Sequence, residues 1–290
     1  MSKIAILCDS SCDIPQELAD KYGIDILNFH ILLDGVDYVE RESFSATEFY
    51  DMMRKADGVP TTAAITPIEF CAKYCDYVDA GYTDVIYISI NRGASSTHDN
   101  AIMGQNLLRE ERPEHTLKVH VIDSHTYSMC FGWYVCELAR KIRNGAEVRH
   151  VGEEFLDRIA RVEIVLGPYS LRQMKKSGRI SAAAAFAGEL LGLRPIISLI
   201  DGQTKVETKV RGDDKVIPAM LAQCSAKIDQ NDLFEYMVGY TDLAQVNDLV
   251  KLCRKQFGCE PVCVFKLGGV VSANTGPDTL AIAYLGKKRA

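Results

Sequence analysis

No stretch of this chain holds the roughly 20 uninterrupted apolar residues that a membrane-spanning helix requires. The N-terminal apolar run reaches Asp9 too soon to serve as a secretion signal. Basic residues are in deficit, with a net charge of −6, which argues against nucleic acid as a partner because phosphate contacts need clustered Lys and Arg. Lys287-Lys288-Arg289 is too short a run to reverse that, and reads as a solvated tail. The motifs of several enzyme classes are missing too. The chain lacks a P-loop, Gly-x-Gly-x-x-Gly, His-Glu-x-x-His and the Gly-x-Ser-x-Gly elbow of serine hydrolases. Cysteine is plentiful, with 10 residues, but none is arranged as Cys-x-x-Cys. The pairs Cys8/Cys12, Cys71/Cys75 and Cys259/Cys263 have three residues between them, and several cysteines lie inside apolar runs. Reduced cysteines packed as small core residues, no metal site and a cytoplasmic location are the expectations.

What is present is an ordinary globular composition, 47% hydrophobic and 25% charged, over 290 residues, enough for two domains. In the first half, apolar runs at residues 4–8, 24–33, 85–90 and 119–122 alternate with helical patterns. Ser45-Ala46-Thr47-Glu48 has capping-box spacing, and Thr66-Pro67-Ile68-Glu69 combines a cap, a first-turn proline and an acidic third position. These open predicted helices to about Lys55 and Ala80; further helices are predicted over 95–110 and 127–143. Such alternation predicts a parallel sheet covered on both faces. After Arg161 the texture changes. Strands are predicted at 163–166, 194–200 and 204–210, the last two joined by Asp201-Gly202 as a hairpin. Strands at 236–240, 262–266 and 280–284 alternate with helices at 216–228 and 243–257. The expected architecture is α/β in two domains: a parallel-sheet domain over 1–162, and an α/β sandwich with a mainly antiparallel sheet over 163–290.

Five polar segments follow predicted strands or precede helices: 9–13, 61–66, 89–97, 123–128 and 273–279. In open α/β sheets ligands bind outside the carboxyl ends of the strands. The hydroxyls and amides there suit a carboxylate or phosphate. The first segment, Asp9-Ser10-Ser11-Cys12-Asp13-Ile14-Pro15, also reads as a plain helix entry, and the two roles are compatible. Ala182 to Gly188 is a run of small residues around Phe186 that either packs tightly or walls an elongated apolar space. In the second case, burying roughly sixteen methylenes at about 0.8 kcal/mol each stabilises a long-chain ligand substantially before ordering costs. A small-molecule hydrolase or transferase using Asp9, Ser95 or His125 is the competing reading, and a lipid-responsive regulatory sensor is a third.

Taken in order, Asp9 to Pro15, Val121-Ile122-Asp123-Ser124, Ser170-Leu171 with Lys176-Ser177-Gly178-Arg179-Ile180-Ser181, Leu191 to Ile197 with Asp201-Gly202, and Thr275-Gly276-Pro277 give the chain its resemblance to a known family. It resembles the DegV family of bacterial lipid-binding proteins across essentially its whole length. The resemblance implies a non-catalytic carrier that buries one long-chain fatty acid between its domains; a monomer without a cofactor and without stable membrane insertion is the further expectation. The resemblance also implies presentation of the carboxylate to a separate fatty acid kinase for acyl-phosphate formation. Carried over by position, Thr62, Ser95, Ser96 and Asn274 would bind the carboxylate, with Asn91, Arg92, Ser10 and His125 as head-group neighbours. Ala184, Phe186, Ala187, Leu190, Leu191 and Ile196 would line the acyl chain, and Arg179 and Arg211 would dock the kinase. The match has departures. Thr62-Ala63-Ala64-Ile65 stands where the family has Thr-Ser-Gln-Pro, Asn91 to Thr97 where it has Ser-Ser-x-Leu-Ser-Gly-Thr, and Asn274 where it has histidine. Asparagine can hydrogen-bond a carboxylate but cannot become cationic.

Overall fold

The computed structural model describes residues 3–180, 192–228 and 234–287. The chain begins β1 (Ile4–Asp9), α1 (Gln16–Tyr22), β2 (Ile24–Leu27), β3 (His30–Leu33), β4 (Val36–Val39), α2 (Ala46–Lys55) and β5 (Thr61–Ala63). It continues α3 (Pro67–Asp79), β6 (Asp84–Ser89), α4 (Thr97–Glu111), β7 (Lys118–Asp123), α5 (Met129–Arg143) and α6 (Val148–Ile159). Then follow β8 (Val162–Pro168), α7 (Arg172–Ser177), β9 (Leu193–Ile200), β10 (Gln203–Arg211) and α8 (Val216–Ser225). The last elements are β11 (Tyr236–Tyr240), α9 (Val246–Phe257), β12 (Cys263–Lys266), α10 (Gly269–Thr275) and β13 (Thr279–Leu285).

Two compact units emerge. The first comprises the chain through His30 and Thr62–Ile159; the second takes Ile31–Thr61 and everything from Ala160. The sequence reading drew a single cut near residue 162 and assigned 31–61 to the N-terminal domain. That segment groups instead with the second unit, and its side chains show why. Tyr50 donates to the Leu267 carbonyl, the buried Glu40 accepts from Val270 N–H at 2.8 Å, and Arg172 donates to the Asp57 carbonyl at 2.7 Å. None of these distant partners is visible to a reading of local periodicity.

In the first unit the sheet order is β2-β1-β6-β7, with every pairing parallel. The chain passes from β1 to β2 on one side and later returns to β6 on the other, which makes the β1/β6 edge a topological switch point. Both predicted helix caps form, each as a full capping box. Ser45 Oγ accepts from Glu48 N–H and Thr66 Oγ1 from Glu69 N–H, each at 3.3 Å, while each glutamate accepts from its cap in return. The predicted strand over 24–33 divides into β2 and β3 because Phe29 N–H leaves the ladder to donate to Ser10 Oγ at 3.0 Å.

The second unit's sheet runs β10-β9-β8-β13-β11-β12, antiparallel except for the β11/β12 pair. Asp201 and Gly202, at φ 50° and 71°, make the predicted hairpin turn, whose left-handed positions suit this dipeptide. Val165, Ile196, Val238, Leu280 and Ile282 pack against Val216, Met220 and Cys224 of α8 and Leu249 and Cys253 of α9. The helix expected over 182–191 lies outside the described residues. Helix α6 was not anticipated, although Val151, Phe155 and Ile159 recur every fourth residue and are all buried. Helix α10 replaces part of what was read as a loop over 273–279.

Candidate functional site

The carboxyl ends of β1, β6 and β7 carry the polar segments noted in the sequence, and hydrogen bonds lace them together. Asp9, fully buried at the end of β1, accepts from Ser11 N–H at 3.2 Å, the Ser11 hydroxyl, Tyr87 Oη at 2.9 Å and Ile90 N–H at 2.8 Å. Burial pushes its pKa up, and these donors pull against that rise without cancelling it. Asn91 N–H donates to the Thr126 carbonyl at 3.1 Å, Ser124 N–H to Ser89 at 3.1 Å and Ser128 N–H to Ser11 at 2.9 Å. Asp9 is thus the knot of a rigid loop cluster rather than an available nucleophile. The remaining members of the enzyme reading stand in other networks. Ser95 Oγ pairs with Thr97 Oγ1 at 2.8 Å, and His125, mostly exposed, lies 3.5 Å from Asp123 Oδ2.

Of the sequence-predicted carboxylate ligands of this unit, Ser95 and Ser96 follow the cluster's Asn91 on the way into α4. Ser95 is half-buried, and its Oγ accepts from Thr97 N–H at 3.2 Å as the chain enters α4. Ser96 is the exposed residue before the helix and makes no capping bond with its side chain. Thr62 is half-buried on β5, and its segment is tied to α4 through Asn100, whose amide donates to the Ile65 carbonyl at 2.8 Å. Asn91 is buried; its amide donates to Tyr127 Oη at 2.7 Å and its Oδ1 accepts from Gly93 N–H at 3.0 Å. Ser10 spends its hydroxyl on Phe29, as described above. Arg92 forms an exposed ion pair with Asp99 at 2.9 Å, so its charge is already partnered at the surface.

In the second unit, α7 and α10 lie side by side. Asn274 is half-buried and turns its amide onto its own helix, donating to the Val270 carbonyl at 2.8 Å. Gly276 follows at φ 89°, and a Cβ there would meet Gln173 Oε1 at 3.1 Å. Gln173 Oε1 and Thr275 Oγ1 are both buried, with no hydrogen-bond partner among the described residues. Buried acceptors left in that state are costly unless something satisfies them. Thr275 lies in a motif quoted from the sequence but was given no ligand role, and Gln173 was not singled out, since a Gln inside Leu-Arg-Gln-Met-Lys-Lys reads as a solvent-facing helix residue. Arg179 and Arg211 are both exposed, Arg179 donating to the Ser177 carbonyl at 2.9 Å. Ile196 is fully buried in the packed core of the sheet and α8. Ala184, Phe186, Ala187, Leu190 and Leu191 lie outside the described residues.

These features define a class: a two-unit α/β protein whose parallel sheet gathers its polar loops at the carboxyl strand ends. The chain belongs to the DegV family, whose profile, described as "Uncharacterised protein, DegV family", matches residues 3–287. The DegV domain-containing protein CPE1310 of Clostridium perfringens is 25% identical, over 98% of this chain and 99% of that protein. A relative from Caldanaerobacter subterraneus, TTE1491, is 28% identical over 98% and 99%. Among solved structures, a fatty-acid-binding DegV family protein from Thermus thermophilus has a TM-score of 0.84 at 24% identity, covering 98% of this chain and 100% of its own. A stearic-acid-binding protein from Eubacterium ventriosum reaches 0.86 at 22% identity, with 99% of each chain covered. Both share this fold. Among the described residues, no helix is long and apolar enough to cross a membrane.

Proposed function

We propose that this protein binds one long-chain fatty acid and acts as its carrier. The observation that carries the reading is whole-chain membership of a family whose solved members, with this same fold, are described as binding stearic and heptadecanoic acids. Thr62 and Ser95 donate to the carboxylate, with Ser96 and Asn274 as further donors. Asn274 can do so with its second amide hydrogen while keeping its bond to the Val270 carbonyl. Gln173 and Thr275 supply polar partners near it that compensate for the absent histidine. The saturated Asp9 fits a role in shaping the loops, and chemistry on the carboxylate then falls to a separate ATP-dependent kinase. Arg179 and Arg211 are exposed, as a kinase-docking role requires.

Mass spectrometry of the intact protein tests the binding reading. One fatty acid per chain, retained natively and released on denaturation, is the expected result. Thr62→Val combined with Ser95→Ala should lower retention by about tenfold or more, the cost of losing a hydrogen bond or two to a charged group. A chain that stays empty after incubation with saturated and unsaturated fatty acids overturns it. Acyl-phosphate formation with ATP and a partner kinase tests the presentation step. Arg179→Glu with Arg211→Glu should abolish turnover while leaving lipid occupancy unchanged.

A further inference from the structure

Helix α3 presents Cys71 and Cys75 one turn apart, and Glu111, the last residue of α4, reaches the same point. The ligand atoms of these three side chains all lie within 4.8 Å of one another. Cys75 Sγ donates toward Glu111 Oε2 at 3.7 Å. Helix packing accounts for the convergence. A Cβ on Gly104 would stand 2.6 Å from Phe70 Cβ and 3.3 Å from Cys71 N, so a glycine is what lets α4 approach α3 this closely. Gly104, Leu108 and Glu111 follow at helical spacing on one face of α4, with Gly104 and Leu108 buried, so the contact at Gly104 continues to Glu111. Cys71 is buried, Cys75 half-buried and Glu111 exposed, giving a dry inner end and an open entrance.

We propose that Cys71, Cys75 and Glu111 form a three-ligand site for one thiophilic divalent cation of the zinc class, with a fourth position open to water. Two thiolates and a carboxylate match the donor preference of such a cation. Tetrahedral coordination places sulfur and oxygen ligands about 3.5–3.8 Å apart; Cys75 and Glu111 already stand at 3.7 Å, and no gap has to close by more than about 1 Å. Burial first, then the neighbouring Cys75 and Glu111, push the Cys71 thiol up to about 11. The cation replaces both thiol protons, which pass to solvent. The ligands then exceed the cation by one negative charge. Arg112, the residue after Glu111 and 3.5 Å from Asp79, is the nearby cation that can turn toward that charge. A Cys-x-x-x-Cys pair on a helix thus does what Cys-x-x-Cys does on a turn, and a search for the latter spacing misses it.

The test is anaerobic titration of the reduced, chelator-treated full-length protein with Co²⁺. One equivalent should produce a thiolate-to-cobalt charge-transfer band and intense tetrahedral d–d bands, both abolished by one equivalent of Zn²⁺. Cys75→Ser should remove the charge-transfer band, and Glu111→Gln should weaken affinity by more than about tenfold, with far-UV circular dichroism unchanged in both. A titration without charge transfer, or one whose bands persist at full intensity in Cys75→Ser, overturns the proposal; in the second case other cysteines hold the metal.

Discussion

Asp9 keeps a carboxylate fully buried by surrounding it with hydrogen-bond donors drawn from two strand ends. Asp9→Ala should therefore strand Tyr87, Ser11 and the Ile90 amide at once, lowering the unfolding free energy by about 3 kcal/mol or more. Urea denaturation reads this directly, and Asp9→Asn, which keeps one acceptor oxygen, should cost less. Glu207 makes the opposite electrostatic case. Burial raises its pKa, but Lys227, Ser198 and Lys205 outweigh that and hold it at about 2, below the usual 4.5. A depressed folded-state pKa gives stability that is present above about 4.5 and lost as pH falls toward about 2. Glu207→Gln should remove on the order of 3 kcal/mol at neutral pH and flatten the stability profile across that window. At this scale the sequence was only partly legible. Thr62, Ser95 and Thr275 stood out by motif, whereas Gln173 did not, and the burial of Thr275 and Gln173 was hidden because it is a property of the fold and not of a residue type. Asn274 was visible, but its bond to Val270 depends on a helix that its small and polar residues did not announce.

Elements with chemical punctuation were the ones that could be read. Helices α2 and α3 begin where Ser45 and Thr66 cap them, and the β9–β10 turn falls on Asp201-Gly202. Strands β4 and β5 are four and three residues long, too short for alternation to show. The irregularity in β10 between Val206 and Thr208 was invisible for another reason: the extra residue, Glu207, fits either face of a strand, and its bonds to Ser198 and Lys227 favour the bulge. Helix contact sets a sharper test. Gly104→Ala places a methyl group 2.6 Å from Phe70 Cβ, so α3 and α4 must separate. Thermal unfolding should show a loss of about 1–3 kcal/mol. The same substitution should weaken Co²⁺ binding at Cys71, Cys75 and Glu111, although it touches none of those ligand atoms.

For the whole molecule, the consequential feature is that the second unit is made from two separated lengths of chain. A fragment starting at Ala160 lacks Phe44, Phe49 and Tyr50, and leaves the Val270 amide without Glu40. It should fail to give a cooperative melt by near-UV circular dichroism. The same fragment joined to residues 31–61 through a flexible linker should recover one. Time of synthesis adds a constraint of its own. Tyr50 and Glu40 leave the ribosome 217 and 230 residues ahead of Leu267 and Val270, with which they are to pack, a lag of about 10–45 s at ordinary elongation rates. Throughout that interval the aromatic face of α2 has no permanent home. The nascent chain, more than the finished protein, is where a chaperone would find it.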